Sequence, residues 1–577
     1  MSCDYILSEL KLEKMLNYLH KGSEGTQAFI INKLYSFSPE KVTFYLPQLF
    51  NFFLRTSDPQ PIARFFVDES IRSHSFALKL YWFVSAAMAD ELESHQVLLQ
   101  EMHRKLETAI INSALPYKKS SDITDYYHQL SISKRIKADY FDYEKRLGGL
   151  LCKVSIGLSI ISSDQRNHKL RCWLHELDLY INEMRNTHKS DEEETRLFRG
   201  VHLPFEFQNK QPIQVVKLHP KYSFCFNSKA RVPYKCVLEC VSKDEEAVEV
   251  EDYRKSKANP VLLEHLLQQT NLQEESEASS EENSDTRSTE AECMWGEPWP
   301  EFCERLRKNS CFGHFETWNL TEVIVKGLDD LRQELLAMQF IRKIKDVFDS
   351  VHLKLFLRPY DILILSNNMG IIECIPNTHS IHSIKKRTPN FTSLLNFFVD
   401  YYEDFLEAQK NFVESMAGYS LVCYLLNVRD RHNGNILLDN EGHIIHIDFG
   451  FFLTSSPGGN LNFETSPFKL TTEMVEVMGG YEGEMYKYFK VLLFQGFVQL
   501  RRHYEELAVI LEMMGPGENL PCMRDFERAK REFFERFRLD LAEDQCFQAV
   551  EGLCDSSAGN WRTYRYDYFQ WLTNGIL

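Results

Sequence analysis

The chain lacks any apolar run near the roughly 18 residues needed to cross a bilayer, which excludes a helical membrane span. Its opening, MSCDYILSELKLEK, lacks the apolar core of a signal peptide, so an intracellular protein is expected. Neither G-x-G-x-x-G nor G-x-x-x-x-G-K-[ST] occurs, so dinucleotide and P-loop chemistry are unsupported. Positive charge is short: 66 Lys and Arg stand against 83 Asp and Glu, a formal net charge of −17. That excludes a nucleic-acid protein, whose affinity rests on neutralising phosphates. It also argues against tight, charge-driven binding to acidic membranes. The 14 cysteines are scattered, and the tightest pair, Cys236 and Cys240, lacks zinc spacing and nearby Cys/His partners. Reduced core thiols are expected.

Part of the acidity is local. Residues 274–292, EESEASSEENSDTRSTEAE, carry eight acids and one base, Arg287. Such a Ser/Glu tract cannot bury enough apolar surface to fold, and a disordered insertion at about 270–292 is expected. The remaining length, 577 residues in all, suits two to four domains.

Up to about residue 185 the apolar spacing is helical. Leu10, Leu12, Met15, Leu16 and Leu19 recur near a 3.6-residue period. PEKVTFYLPQLFNFFLR repeats the pattern, with Pro39 in a first turn and Pro47 set to kink or divide it. SHSFALKLYWFVSAAMADELES is a third long helix. Such helices with short links predict a solenoid or bundle over 1–133, followed by a helical connector over 134–198. The texture then changes to β-rich runs: VHLPFEF, QVVKLHP, YSFCFNS, YKCVLECVS, TEVIVKG, KLFLRP, DILILSN and IIECIP. One good helix, DDLRQELLAMQFIRKIKDVFD, lies among them, and Asp330 with Gln333 has capping-box spacing. The expectation is an α+β chain: helical domain, antiparallel-β lobe over 199–373, then a mostly helical lobe over 374–577.

The chemistry concentrates in Arg429 to Leu453, RDRHNGNILLDNEGHIIHIDFGFFL. Phosphoryl transfer from ATP needs positioned metal, a lysine on the phosphates and a group that orients the attacking hydroxyl. Asp430 and Asn435 stand five residues apart, the offset of the catalytic Asp and metal-binding Asn in kinases. Asp448 of an Asp-Phe-Gly follows after ILLDNEGHIIHI, which reads as a hairpin that brings the two metal ligands together. Asp439, at the hairpin turn, is read as structural. Lys326 ends a β-branched strand just before the main helix, and Glu334 on that helix can hold it.

VIVKGLDDLRQELLAMQ, DRHNGNILLD, HIDFGFFL and FETSPFKLTTEMVEVMGG resemble the phosphatidylinositol 3-/4-kinase superfamily, in which Asp-Arg-His replaces His-Arg-Asp. GTQAFIINKLYSFSPEKVTFYLPQL, AGYSLVCYLLNVRDRHNGNILLD, Glu334 and the ending YFQWLTNGIL make the resemblance strongest to its type III beta phosphatidylinositol 4-kinase branch. The resemblance implies a two-lobe kinase-like catalytic domain behind an accessory helical domain. It implies that Lys326 binds ATP phosphate beside Glu334, and that Asn435 and Asp448 hold Mg²⁺, with Mn²⁺ as the alternative. Either Asp430 or His432 would take the inositol proton. Asn227 to Pro233 matches the phosphate-covering loop, with Ser228 and Lys229 on the phosphates. IIECIPN would be the adenine hinge: Glu373 and Ile375 there, Tyr360 and Ile447 lining the pocket. A Rab-family GTPase on the helical domain, a monomeric catalytic unit and the cytosolic face of the Golgi are further family expectations.

The segment after Asp448, FFLTSSPGGNLNFETSPFKL, would be the substrate loop, and it holds one base, Lys469, and one acid, Glu464. Each extra headgroup phosphate adds roughly −1.5 to −2 charge, so scarce cations suit phosphatidylinositol itself. That does not separate the 4-hydroxyl from the 3-hydroxyl. A phosphatidylinositol 3-kinase using unphosphorylated lipid and a non-catalytic GTPase-recruiting scaffold are the alternatives. In NWRTYRYDYFQWLTNGIL, Tyr564, Tyr568, Trp571 and Leu572 fall near one helical face, which suits either a membrane interface or packing on the lobe.

Overall fold

The computed structural model describes residues 11–90, 95–114, 122–187, 200–205, 213–226, 231–242, 294–457, 466–515 and 520–577. The acidic tract, Ser228, Lys229 and Glu464 lie outside the described residues.

The N-terminal part is helical, as its period requires. Leu12, Met15, Leu16 and Leu19 are buried on the helix Leu12–Lys21. Pro39 sits in the first turn of Pro39–Phe44, and Pro47 in that of Leu46–Arg55, so the expected long helix is two. A proline tolerated at a first turn starts a new helix because its missing N–H would have been unpaired there. Ser73 caps His74–Ala89 by accepting from the Phe76 N–H. The helix Ile123–Ser159 then runs 37 residues unbroken across residue 133, where the sequence suggested a division.

That helix backs the N-lobe sheet. Tyr234 donates to the Leu151 carbonyl at 2.8 Å, and Ser155 donates to Val232 and accepts from Gly327. The sheet has seven strands in the order β1-β2-β4-β5-β7-β6, with β3 beside β4. These are β1 Val201–Leu203, β2 Ile213–Leu218, β3 Phe224–Cys225, β4 Tyr234–Ser242, β5 Asn319–Gly327, β6 Ile362–Ser366 and β7 Met369–Glu373. Every pairing in it is antiparallel. A second sheet, order β10-β9-β8, joins β8 Thr378–Ser380, β9 Ile436–Asp439 and β10 Ile444–His446. A helical C-lobe follows, built on Phe405–Leu426 and Glu484–Arg502. The chain is thus a two-lobe α+β kinase-like domain preceded by helices.

Two local expectations are corrected. KLFLRP is not a strand: it has no ladder partners among the described residues, and Arg358 is tied to Glu373 instead. The capping box at Asp330 is not formed, because the helix Arg332–Ser350 starts two residues later, with Leu331 at its N-cap. Gln333 instead reaches the Phe449 and Gly450 carbonyls and the Cys522 N–H. Cys236 and Cys240 are buried thiols, and among the described residues no group of acids, histidines and cysteines could by itself hold a metal.

The helix Arg332–Ser350 is gripped by the accessory helices. Arg332 pairs with Asp90, and Gln48 exchanges hydrogen bonds with Gln339. Lys343 sits between Glu13 and Glu506 at 2.6 and 2.7 Å, joining three helices from three parts of the chain. Burial pushes the Glu506 carboxyl up, but bonds from Lys343 and His503 win and hold it at about 2.

Candidate functional site

The site forms where the hairpin β9–β10 meets the N-lobe helix. Pairing of His446 with Ile436 sets the register, and the Ile447 N–H donates to the Asn435 carbonyl at 3.1 Å. Asn435 enters β9 and Asp448 leaves β10, so the hairpin brings both to one end. Asp439 accepts from the Glu441 and His443 N–H groups and from His443 Nδ1, which fixes the turn. That is the structural role the sequence suggested for it.

Asp430 and Asp448 both lie in the left-handed region, with φ of 64° and 58°. Such residues cost on the order of 1–3 kcal/mol and persist where surroundings over-determine them. Arg431 supplies much of that constraint. It is buried, donates at 2.7 Å to the Ile447 carbonyl and also to that of Asp448, and lies over the Phe449 ring. The inverted tripeptide thus places an arginine under the Asp-Phe-Gly segment, a role its motif alone did not disclose.

Lys326 ends β5 with Nζ 3.7 Å from Glu334 and 3.5 Å from Asp329. Burial pulls its pKa down, but Glu334, Asp448 and Asp329 outweigh this and raise it, so the ammonium stays charged. Tyr360 is buried and donates to Glu334 Oε1 at 2.5 Å. Burial and Glu334 push its phenol far above the usual range, so it remains a donor. Glu373 is occupied by Arg358 at 2.6 Å and by the Asp361 N–H. Its side chain therefore braces the Arg358–Asp361 segment. The Ile375 N–H has no partner among the described residues, as a hinge donor needs, and Ile447 is partly buried against the core.

His432 and Asp430 lie 3.9 Å apart, Nε2 to Oδ1. The Gly434 N–H donates to His432 Nδ1 at 3.1 Å, so the neutral ring carries its proton on Nε2. Burial, Arg431 and Lys469 lower the His432 pKa to about 4. Burial raises that of Asp430, against a hydrogen bond from Tyr566. Both Tyr566 and Gln570 come from the last helix, Trp561–Asn574. Lys469 is buried too, bound to Asp567 of that helix at 2.6 and 2.8 Å. The helix buries Thr563, Tyr566 and Gln570 and exposes Tyr564, Tyr568, Phe569, Trp571 and Leu572.

The Asp448 carboxylate acts on Lys326, Glu334, Asp430 and His432 alike. Asn435 donates its Nδ2 to the Asp430 carbonyl at 3.0 Å, and its amide oxygen and the Asp448 carboxylate stand at the same end of the hairpin as oxygen donors. An oxygen-only pair suits a hard cation that completes its shell with waters and phosphates.

Residues 320–524 match the family model Phosphatidylinositol 3- and 4-kinase, and residues 15–85 match the model PI4KB/PIK1, accessory (PIK) domain. The chain carries both domains over these stretches. It is 51% identical over 296 residues to Phosphatidylinositol 4-kinase beta 1 of Arabidopsis thaliana, covering 50% of this chain and 26% of that one. It is 50% identical over 286 residues to Phosphatidylinositol 4-kinase beta of Xenopus tropicalis, covering 49% and 35%. The chain thus spans about a quarter to a third of the length of the curated relatives it matches. Among the described residues no helix is long and apolar enough to cross a membrane.

Proposed function

We propose that the chain is an ATP-dependent lipid kinase that phosphorylates the 4-hydroxyl of phosphatidylinositol. The observation that carries this is the geometry about one hairpin: Lys326 pairs with Glu334, Asp430 lies 3.9 Å from His432, and β9–β10 brings Asn435 and Asp448 to the same end. The names of the relatives support the 4-hydroxyl.

In this reading Lys326 holds ATP phosphate and Glu334 holds Lys326. Asn435 and Asp448 hold Mg²⁺, or Mn²⁺, which when bound neutralises phosphate charge. The inositol oxygen forms a bond to the γ-phosphorus as the bond to the ADP oxygen breaks, and the hydroxyl proton passes to Asp430. Asp430 suits that role because burial makes it the stronger base. His432 presents Nε2–H and acts as a donor that steers the hydroxyl or a phosphate oxygen. Ser228 and Lys229 cover the phosphates, and the Ile375 N–H meets the base, with Tyr360 and Ile447 around it.

Lipid selectivity follows from charge. Lys469 is the one cation between Asp448 and Leu470, and Asp567 already neutralises it. Little cation remains for additional headgroup phosphates, which favours the unphosphorylated lipid. Exposed Trp571 and Leu572 suit contact with the bilayer that holds it. A Rab-family GTPase on the accessory helices and the Golgi's cytosolic face complete the proposal, and the accessory-domain match supports a partner surface.

Labelled ATP, phosphatidylinositol vesicles and separation of the deacylated product isomers test it. A 4-phosphate product is expected. A 3-phosphate product, or none, would overturn the reading.

A further inference from the structure

Gln333 is buried next to Glu334, and its spacing from Asp330 suggests only a cap, which does not form. Its side-chain amide bridges three segments. Nε2 donates to the Gly450 carbonyl at 2.5 Å and lies 3.4 Å from that of Phe449, while Oε1 accepts from the Cys522 N–H at 3.0 Å. Thr454 donates in turn to the Cys522 carbonyl, which closes the link on the C-lobe side. The donors and acceptors are matched in sense: two carbonyls need an N–H, and one N–H needs an oxygen. An amide carries a two-hydrogen donor and an acceptor on one planar group, which serves all three partners at once.

We infer that Gln333 is the positioning residue that sets the Asp-Phe-Gly segment, tying the Lys326–Glu334 pair and Asp448 into one unit. Glu334 faces Lys326 and Tyr360, while its neighbour Gln333 holds the two carbonyls just after Asp448. A shift of the N-lobe helix therefore moves both together. Without the amide, the left-handed Asp448 keeps Arg431 on one side and the Tyr360 hydroxyl on the other, but the two carbonyls after it lose their tie to the N-lobe helix.

The inference deepens the proposed reaction and rests on it for its activity arm alone. Gln333→Met keeps the length and removes both polar functions. Gln333→Glu keeps the acceptor for Cys522 but sets a carboxylate against two carbonyl oxygens. For both, turnover with phosphatidylinositol vesicles should fall about tenfold to thirtyfold, while KM for the lipid stays within about twofold. The apparent Mg²⁺ requirement should rise about tenfold. In nucleotide-free enzyme, amide exchange at residues 449–452 should quicken about tenfold, with β4 and β5 unchanged. Unchanged exchange at 449–452, or equal loosening of all elements, would overturn the inference. Should Gln333→Met fail to fold, Gln333→Glu decides by the same readouts. The exchange arm needs no substrate, so it stands apart from failure of the lipid-kinase reading.

Discussion

Asp567→Asn should loosen the last helix and slow catalysis through a residue that is not in the reacting set. Lys469 is buried at 4% exposure, and Asp567 is its carboxylate partner at 2.6 and 2.8 Å. Removing one member of a buried pair costs about 3–5 kcal/mol, because an uncompensated charge stays behind. An asparagine oxygen can still accept from the ammonium, so about 2–3 kcal/mol is the better figure. At about 1.4 kcal/mol per tenfold, that raises the undocked population of Trp561–Asn574 roughly thirtyfold to hundredfold. Amide exchange at residues 563–572 reads this directly and should quicken by that factor. Turnover should fall as well, since undocking withdraws Tyr566 and Gln570 from Asp430. The double substitution Lys469→Met with Asp567→Leu is the control, because matched apolar replacement of a buried pair is often neutral. Exchange that stays at the parental rate in Asp567→Asn, or a double variant as loose as the single, would refute the reasoning.

Lys326→Ala should cut turnover by on the order of 10²–10³ while the melting temperature moves by only a few degrees, since the lysine is a partner rather than a core element. Gly434→Ala would set a Cβ 3.0 Å from His432 Cε1 and Nδ1, so the ring must turn and turnover should drop about tenfold, read against an unchanged circular dichroism spectrum. His432 should titrate near 4 by NMR, so turnover should show no inflection from it near 6.5. The unfolded state takes up that proton first, so as pH falls from about 6.5 to about 4 this histidine subtracts stability, up to roughly 3 kcal/mol. His432→Asn should lose less than the parent between pH 6.5 and 5 in urea unfolding, and parallel curves would contradict the shift.

The elements that were legible in the sequence are those whose buried face is apolar. Leu12, Met15, Leu16 and Leu19 repeat at helical spacing, and they are the buried residues of their helix. Pro47 marked a division because proline restricts the backbone wherever it stands. The hairpin was legible because ladder and turn both follow from local residue types. Roles set by distant polar partners were not. Gln333 looked like a cap because Asp330 stands three residues before it, yet its partners are 116, 117 and 189 residues away. Nor did anything local join the Glu373 side chain to Arg358, which pairs with it from a segment that resembled a strand. In the last helix the sequence grouped Tyr564, Tyr568, Trp571 and Leu572 on one face, which is the exposed one, but it did not mark Thr563, Tyr566 and Gln570 as the docked face, because two of these are polar and their partners lie far off in the chain.

Lys343 gives the fold a mechanical property. Its ammonium is shared by Glu13 and Glu506, so one side chain fastens the accessory helices, the N-lobe helix and the C-lobe helix Tyr504–Met514. Two lobes joined by a hinge ordinarily swing about it. Here the swing must stretch a cross-brace set on the N-lobe helix. The brace is ionic but largely buried, so added salt screens it little and it holds the lobes over a wide range of ionic strength.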